Sequence, residues 1–387
     1  MDLIHMGKLM NPISNISFLQ TPKNTIFSPP TLLPKLGSNQ QITNISISRN
    51  SQITKALPIA RQDTVHTLIP PQHTEFISTL PTRNDWKFMS LHNYQGFWYF
   101  ALYLSAVLTA QNTFKAQPSD IFLCTFPKTG TTWLKALAFA ILTRSQFALS
   151  STPLLTSTPH DCVPFLEIDA YAAENNRNSQ SPLVSTHIPY TSLPDSIIES
   201  KCKMVYLCRD PKDVLISMWH FLRARLPAGI DKDEYVNIDD SFKSFCEGAA
   251  NNGPYWDHVL GYWNASLEFP DRVLFLVYED MKEDTVSVAK RLAEFMGCGF
   301  SQEEEKQGLV QKIVDFCSFE NLKDLKVSQS GAYSEKSPFI IQNSSFYRKA
   351  KSGDWSNYIT QEMGDLLDKI VEQKMSGSGF SFLKSSE

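Results

Sequence analysis

The chain has 387 residues, 42% of them hydrophobic, and carries 36 Lys and Arg against 40 Asp and Glu for a net charge of −4. That apolar fraction is enough for a full core and excludes a fibre or a wholly disordered chain. The slightly acidic balance, with no basic block, argues against nucleic-acid binding, which needs clustered Lys and Arg to neutralise a phosphate backbone; any anion site must be local.

From Met1 to about Arg61 the chain is rich in Ser, Thr, Asn and Pro, has Asp2 as its only acid, and shows neither helical nor strand periodicity. Residues 1–61 are therefore expected to be a disordered extension ahead of a single domain, 62–387. An acid-poor, hydroxyl-rich leader also fits a plastid transit peptide, although such peptides carry more Arg. The longest apolar stretch, Gly96 to Ala110, is broken by tyrosines and Ser105 and falls short of the roughly 18 residues that span a bilayer, so no membrane segment is expected. Trp86, Tyr94, Phe97 and Trp98 either line an apolar pocket or form the core of an N-terminal helix.

Beyond Asp63 short β-branched or aromatic runs, each closed by a turn, alternate with segments of helical spacing. This is the pattern of an α/β fold with a central parallel sheet flanked by helices on both faces. The strand candidates are Asp120–Phe126, Pro182–Ile188, Lys203–Cys208 and Arg272–Tyr278, near-continuous apolar runs that suit burial on both sides. Thr132–Leu142, apolar on almost every side except Lys135, reads as a central buried helix. Asp284 caps a helix that turns Val288, Leu292, Phe295 and Met296 inward and stops at Gly297. Met363, Leu366, Leu367, Ile370 and Val371 form one stripe of a C-terminal amphipathic helix. The segment Val327–Gln342 has loop composition and could serve as a lid. Seven scattered cysteines without a C-x-x-C pair read as buried free thiols in a reducing compartment, with no metal site among them.

The most informative segment is Pro127-Lys128-Thr129-Gly130-Thr131-Thr132-Trp133, set between a buried strand and a buried helix. Gly130 lets the backbone approach an anion, successive N–H groups can form a nest, and the following helix presents its positive end. Thr131 and Thr132 add hydroxyl donors, and Lys128 supplies a point charge where an oxyanion departs. A nucleotide-kinase loop would place its Lys after the second Gly of G-x-x-x-x-G-K-[ST], whereas Lys128 precedes Gly130; an Mg²⁺-dependent kinase is the less favoured alternative. Arg209, at the expected carboxyl end of a strand, and Ser217, two turns into the next helix, suit a phosphate through a guanidinium fork and a hydroxyl, although an Arg-Asp-Pro turn on its own is more often a surface salt bridge. His187 ends another strand, where a lone His is more often structural.

Pro127 to Trp133 resembles the 5′-phosphosulfate loop of the soluble sulfotransferases, P-K-[ST]-G-T-T-W, and Leu134 to Phe139 resembles their plant branch. Cys208 to Ser217 resembles that family's 3′-phosphate motif, Thr186-His187-Ile188-Pro189 its catalytic His segment, and Ser345 to Trp355 its R-K-G-x-x-G-D-W segment. Thr158 to Pro164 and the segment from Cys317 onward look closest to flavonol-type enzymes, with hydroxyjasmonate-type enzymes similar. The resemblance covers about Glu75 to Leu383. It implies the sulfotransferase fold and transfer of a sulfuryl group from 3′-phosphoadenosine 5′-phosphosulfate (PAPS) to the hydroxyl of a small hydrophobic acceptor such as a flavonoid, hydroxyjasmonate or steroid, without a metal. His187 would be the general base and Lys128 would stabilise the leaving phosphate. Lys128, Thr129, Gly130, Thr131, Thr132 and Trp133 would hold the 5′ side and adenine, and Arg209, Ser217, Arg348, Lys349 and Ala350 the 3′-phosphate. Phe319 would take the second adenine face.

Two positions depart from the pattern. Ala350 stands where the family has Gly, costing about 1–2 kcal/mol if φ must be positive there. Asn252 stands where plant relatives carry an aromatic that helps bind the nucleotide. These departures are the motive for the other alternative, a nucleotide-binding protein without turnover. The resemblance also implies a cytoplasmic location and no membrane or nucleic-acid partner, while the region Trp355–Asp365 carries no clear dimer motif, leaving the oligomeric state open.

Overall fold

In the computed structural model the described residues are 68–84, 86, 89–169, 181–226, 229–333 and 341–382, all within the unit Lys55–Glu387. The predicted extension, 1–61, lies outside them. A short helix, Pro71–Ser78, is followed by three short strands, β1 (Thr82–Arg83), β2 (Leu91–Tyr94) and β3 (Phe97–Phe100), paired antiparallel in that order. Gln95 and Gly96 both take positive φ, 53° and 86°, the handedness that lets a two-residue turn follow the twist of its strands. The long apolar run therefore divides into strand β3 and helix α1 (Ala101–Thr113), rather than forming one helix from the aromatics onward. Tertiary pairing across the Gln95-Gly96 turn overrides the local apolar pattern.

Four parallel strands form the centre: β4 (Ile121–Thr125), β5 (Leu183–Thr186), β6 (Lys203–Cys208) and β7 (Val273–Val277), in spatial order β5-β4-β6-β7. They coincide with the four predicted runs to within two residues at each end. Alternation along β4 sends Phe122 and Cys124 into one core and Ile121 and Leu123 into the other, so both faces are covered and the run is continuously apolar. On the second face lie α2 (Thr131–Thr143), α5 (Thr285–Met296) and α6 (Leu309–Phe316). On the first lie α1, α3 (Pro211–Ala224), α4 (Tyr255–Glu268) and α7 (Gln361–Met375).

Asp284 accepts from Ser287 N–H at 2.9 Å and opens α5, and Gly297, at φ 82°, closes it, as predicted. The C-terminal stripe holds at Leu367 and Val371, which are buried, and at Met363 and Ile370, which pack against the core, and is corrected at Leu366. Leu366 is 48% exposed, whereas Gly364, Leu367, Val371 and Met375 are buried. Gly364 joins the buried line, lying against the Trp355 ring: a Cβ there would come within 2.7 Å of it. The predicted loop from Val327 to Gln342 also contains regular structure. A helical turn, Lys326–Gln329, leads into β8 (Ala332–Tyr333), which pairs antiparallel with β9 (Ile341–Gln342), and residues 334–340 lie outside the described set. All seven cysteines are free. Among the described residues no helix is long and apolar enough to cross a membrane.

Candidate active site

The carboxyl ends of all four central strands open on one cavity of about 740 Å³, the place where open parallel sheets gather ligands. Past β4 comes Pro127–Gly130, past β5 His187, past β6 Arg209 and past β7 Tyr278, and every one of these segments contributes to the wall. Register makes this convergence: Cys124 pairs with Thr186, Thr125 with Leu207, and Cys208 with Val277.

Gly130 takes φ 110°, and a Cβ there would meet the Tyr278 ring at 2.8 Å, so the loop accepts no larger residue without a shift. Lys128 also has positive φ, 73°. Its ammonium lies 4.1 Å from the centre of the Phe221 ring. Burial, followed by the charges of Arg348, Arg209 and Arg225, lowers Lys128 to about 7. Four cations thus converge on one wall of a chain whose net charge is negative. Such an array is costly without an anion to oppose it.

The loop threonines divide the work differently from expectation. Thr129 is buried and does not line the cavity; its hydroxyl donates to Phe126 O and Leu207 O, both at 2.9 Å, and so ties the loop to β6. Thr131 Oγ1 lies 2.8 Å from Thr125 Oγ1. Thr132 Oγ1 lies 3.0 Å from His160 Nε2. The buried Lys135 ammonium donates to Val163 O at 2.9 Å and to His160 Nδ1 at 3.1 Å, which leaves the ring proton on Nε2 to donate to Thr132. The Thr132 proton is then free for an acceptor in the cavity.

His187 is held from several directions. Its Nδ1 is 2.8 Å from Thr125 O, and because a carbonyl only accepts, Nδ1 carries the proton and Nε2 keeps a lone pair. Its backbone N–H donates to Glu167 Oε1 at 2.8 Å, and Thr186 Oγ1 donates to Glu167 Oε2 at 2.8 Å. Its carbonyl accepts from Asn252 Nδ2 at 2.9 Å and from His258 Nε2 at 3.0 Å. Burial outweighs the Thr125 hydrogen bond and pushes the imidazole down to about 3, so the ring is neutral at physiological pH.

Arg209, just ahead of α3, and Ser217, in its second turn, line the cavity. Arg209 Nη2 donates to Asp213 Oδ2 at 3.2 Å and to Lys351 O at 2.9 Å. The buried Asp213 also accepts from the backbone N–H of Gly353 at 2.8 Å and of Trp355 at 3.2 Å. One carboxylate thereby joins two motifs about 140 residues apart. Arg348 and Lys349 both donate to Asp354, the latter at 3.0 Å; burial would raise that carboxyl, but these hydrogen bonds outweigh it and hold it at about 2. Lys349 stands at the exposed rim. Trp133 and Phe319 line the same cavity.

Ala350 takes φ 49°, so this position does demand the left-handed region. Ala350→Gly is expected to raise stability by up to about 1 kcal/mol, the relief of strain exceeding the entropy cost of Gly. Urea unfolding of the two proteins measures this, and a lower midpoint for the Gly variant would contradict it. Asn252 is fully buried, at φ 70°, and braces the His187 carbonyl instead of lining the cavity.

Of the aromatics that could have lined a pocket, only Trp86 does; Tyr94, Phe97 and Trp98 belong to the β2–β3 hairpin. The apolar part of the wall comes instead from Met89, Phe100, Leu102, Phe165, Met218 and Leu222. Sequence reasoning missed Glu167, Asp213, Tyr278 and Arg225. The acid after Val163-Pro164-Phe165-Leu166 and the one four residues after Arg209 were the available signals.

Two buried donors on the wall, Arg209 Nε and Trp133 Nε1, have no hydrogen-bond partner among the described residues. Together with the cation array they fit an anionic ligand that bears a hydrogen-bonding ring or sugar.

Comparison with known proteins agrees. The model of the sulfotransferase domain family matches residues 118–379. A flavonol sulfotransferase-like protein of Flaveria bidentis is 48% identical over 309 residues, 79% of this chain and 98% of the relative. Cytosolic sulfotransferase 17 of Arabidopsis thaliana is 45% identical over 81% of this chain and 91% of its own length. Among solved structures, a putative steroid sulphotransferase of Arabidopsis thaliana is 36% identical with a TM-score of 0.64, covering 81% of this chain and 98% of that one. A mouse sulfotransferase complexed with PAP is 27% identical with a TM-score of 0.55, covering 75% and 95%. A family model spanning more than half the chain, and relatives this similar over nearly their whole length, place this chain in the sulfotransferase family.

Proposed function

We propose that the chain transfers the sulfuryl group of PAPS to the hydroxyl of a small, largely apolar acceptor, with His187 as general base and Lys128 stabilising the departing phosphate. The observation that carries this reading is the convergence, on one cavity, of a neutral imidazole with a free Nε2 and a desolvated lysine flanked by Arg209 and Arg348. The donor's 3′-phosphate is assigned to Arg209, Ser217, Arg348, Lys349 and the Ala350 N–H. Its 5′-phosphosulfate is assigned to Lys128, Thr131, Thr132 and the loop amides. The adenine is assigned to the space between Trp133 and Phe319, both cavity-lining rings. Thr129 holds the loop's shape, and its hydroxyl is already committed.

In the reaction, Nε2 takes the acceptor proton as the oxygen attacks sulfur, the bond from sulfur to the bridging oxygen breaks, and PAP leaves with its new charge facing Lys128. Holding both substrates in one enclosed cavity supplies much of the remaining acceleration. PAP in a solved relative supports the donor, and the flavonol relatives support a phenolic acceptor. The name of the Arabidopsis relative supports a cytoplasmic location.

Transfer of ³⁵S from labelled PAPS, tested across flavonols, hydroxyjasmonates, steroids and desulfoglucosinolates with and without EDTA, tests the reading. Labelled sulfate ester formed in both conditions supports it. Transfer of the γ-phosphate of ATP, abolished by EDTA, would instead make the chain a nucleotide kinase.

A further inference from the structure

The donor assignment leaves two cations of the cavity unused: Lys282, which donates to Ala350 O at 3.1 Å, and Arg225. Arg225 lines the wall at the end of α3, beside Leu222 and Leu226. Ser217, Phe221 and Arg225 follow one another at i, i+4 and i+8, one face of the helix, each step rising by about 6 Å. Ser217 stands at the phosphate end, the Lys128 ammonium sits over Phe221, and Arg225 comes one step further on. Its guanidinium lies 5.4 Å from the centre of that same Phe221 ring.

The other arginines nearby are already paired. Arg209 has Asp213, Arg348 has Asp354, and Arg223, on the outer side of α3, has Asp233. Among the described residues no carboxylate pairs with Arg225, although burial alone lowers it to about 10. Arg225 is partly buried and lines the cavity, so an anionic ligand there would supply the counter-charge that no described carboxylate gives. The helix C-terminus favours a cation, but that preference does not require the side chain to face an apolar cavity.

We infer that Arg225 recognises an oxyanion on the acceptor, so that the preferred substrates carry a carboxylate or a sulfate ester in addition to the hydroxyl that is sulfated. This rests on the proposed function and narrows its acceptor class. Within the helix geometry the reacting hydroxyl lies near Lys128 and His187, and the acidic group about one helical turn beyond, across a short apolar span. A guanidinium suits either anion through paired N–H donors.

The experiment compares matched acceptors on the full-length chain: a hydroxy fatty acid against its methyl ester, and a flavonol against its 3-sulfate, each as kcat/KM in the labelled PAPS assay. The wild type is expected to favour the anionic member of at least one pair by tenfold or more, and the pair that responds identifies carboxylate or sulfate. In Arg225→Gln that ratio is expected to fall at least tenfold, and in Arg225→Lys to be largely retained. A wild-type ratio near one for both pairs overturns the inference, whether or not the Gln variant folds. So does an Arg225→Gln variant that leaves the ratio within twofold while raising the KM for PAPS, since the guanidinium would then serve the donor. Calorimetric titration of the same acceptors into the PAP-saturated chain reads the preference separately from turnover. Binding that favours the anion beside no transfer at all would sink the proposed reaction and leave the recognition standing.

Discussion

Replacing His187 by Asn is expected to lower kcat by roughly 10²–10⁴-fold, the usual worth of a positioned general base, with little change in donor affinity. Asn keeps a donor for Thr125 O and the backbone contacts to Glu167, Asn252 and His258, all made by main-chain atoms of residue 187. What is lost is the lone pair at Nε2. Because burial holds the wild-type ring at about 3, kcat/KM for PAPS should show no loss centred near 6.5 as pH falls from 8 to 5, while protonation of Lys128, at about 7 in the free chain, should raise it over the same window. A ring with its pKa near the unperturbed value would lose activity over that window. Bound donor charge raises the ring's proton affinity, which suits it to accept a proton only once the donor is in place. A variant with kcat within threefold of wild type would remove His187 from the chemistry.

Lys128→Met is expected to lower kcat by roughly 10²–10³-fold, as for loss of one preorganised donor at a developing oxyanion, and to weaken PAP binding as well. The reason is electrostatic. In the free chain burial and three guanidinium groups bring the Lys128 ammonium down to about 7, so at pH 8 most of the population has lost that proton. A ligand with several negative charges reverses the balance and restores it. PAP binding at pH 8 should therefore take up close to one proton, measured by calorimetry in buffers of different ionisation enthalpy, and this uptake should vanish in the Met variant. Binding without proton uptake at pH 8 would mean that Lys128 does not face the nucleotide's phosphates.

The two residues differ in how visible they were. Lys128 lies inside a motif of contiguous residues, so its neighbourhood could be read directly. His187 was a lone histidine at a strand end, and its apposition to Lys128 depends on β5 and β4 being paired with Cys124 against Thr186. The strands themselves were legible because burial on both faces leaves near-continuous apolar runs, and Lys203–Cys208 has the predicted bounds. Capping by Asp284 and Gly297 was legible because those signals act within a few residues.

Where local and distant preferences compete, local reading failed. The apolar run from Gly96 split at Phe100 because a turn at Gln95-Gly96 pairs β2 with β3. In the C-terminal stripe only Leu366 departed, while Gly364 came in against the Trp355 ring. Thr129 is spent on a carbonyl of β6, a strand about 80 residues away.

By itself the sequence determined the α/β class, the four central strands, the phosphate-type turn and the set of residues available for an anion, because each of these is written in neighbours a few positions apart. Only the tertiary structure decided that Glu167 and Asn252 brace His187, that Asp213 ties Arg209 to Gly353, and that Arg225 lines the same cavity with no paired carboxylate among the described residues. A charge's worth depends on what solvates or opposes it, and those partners come from chain segments far apart in sequence.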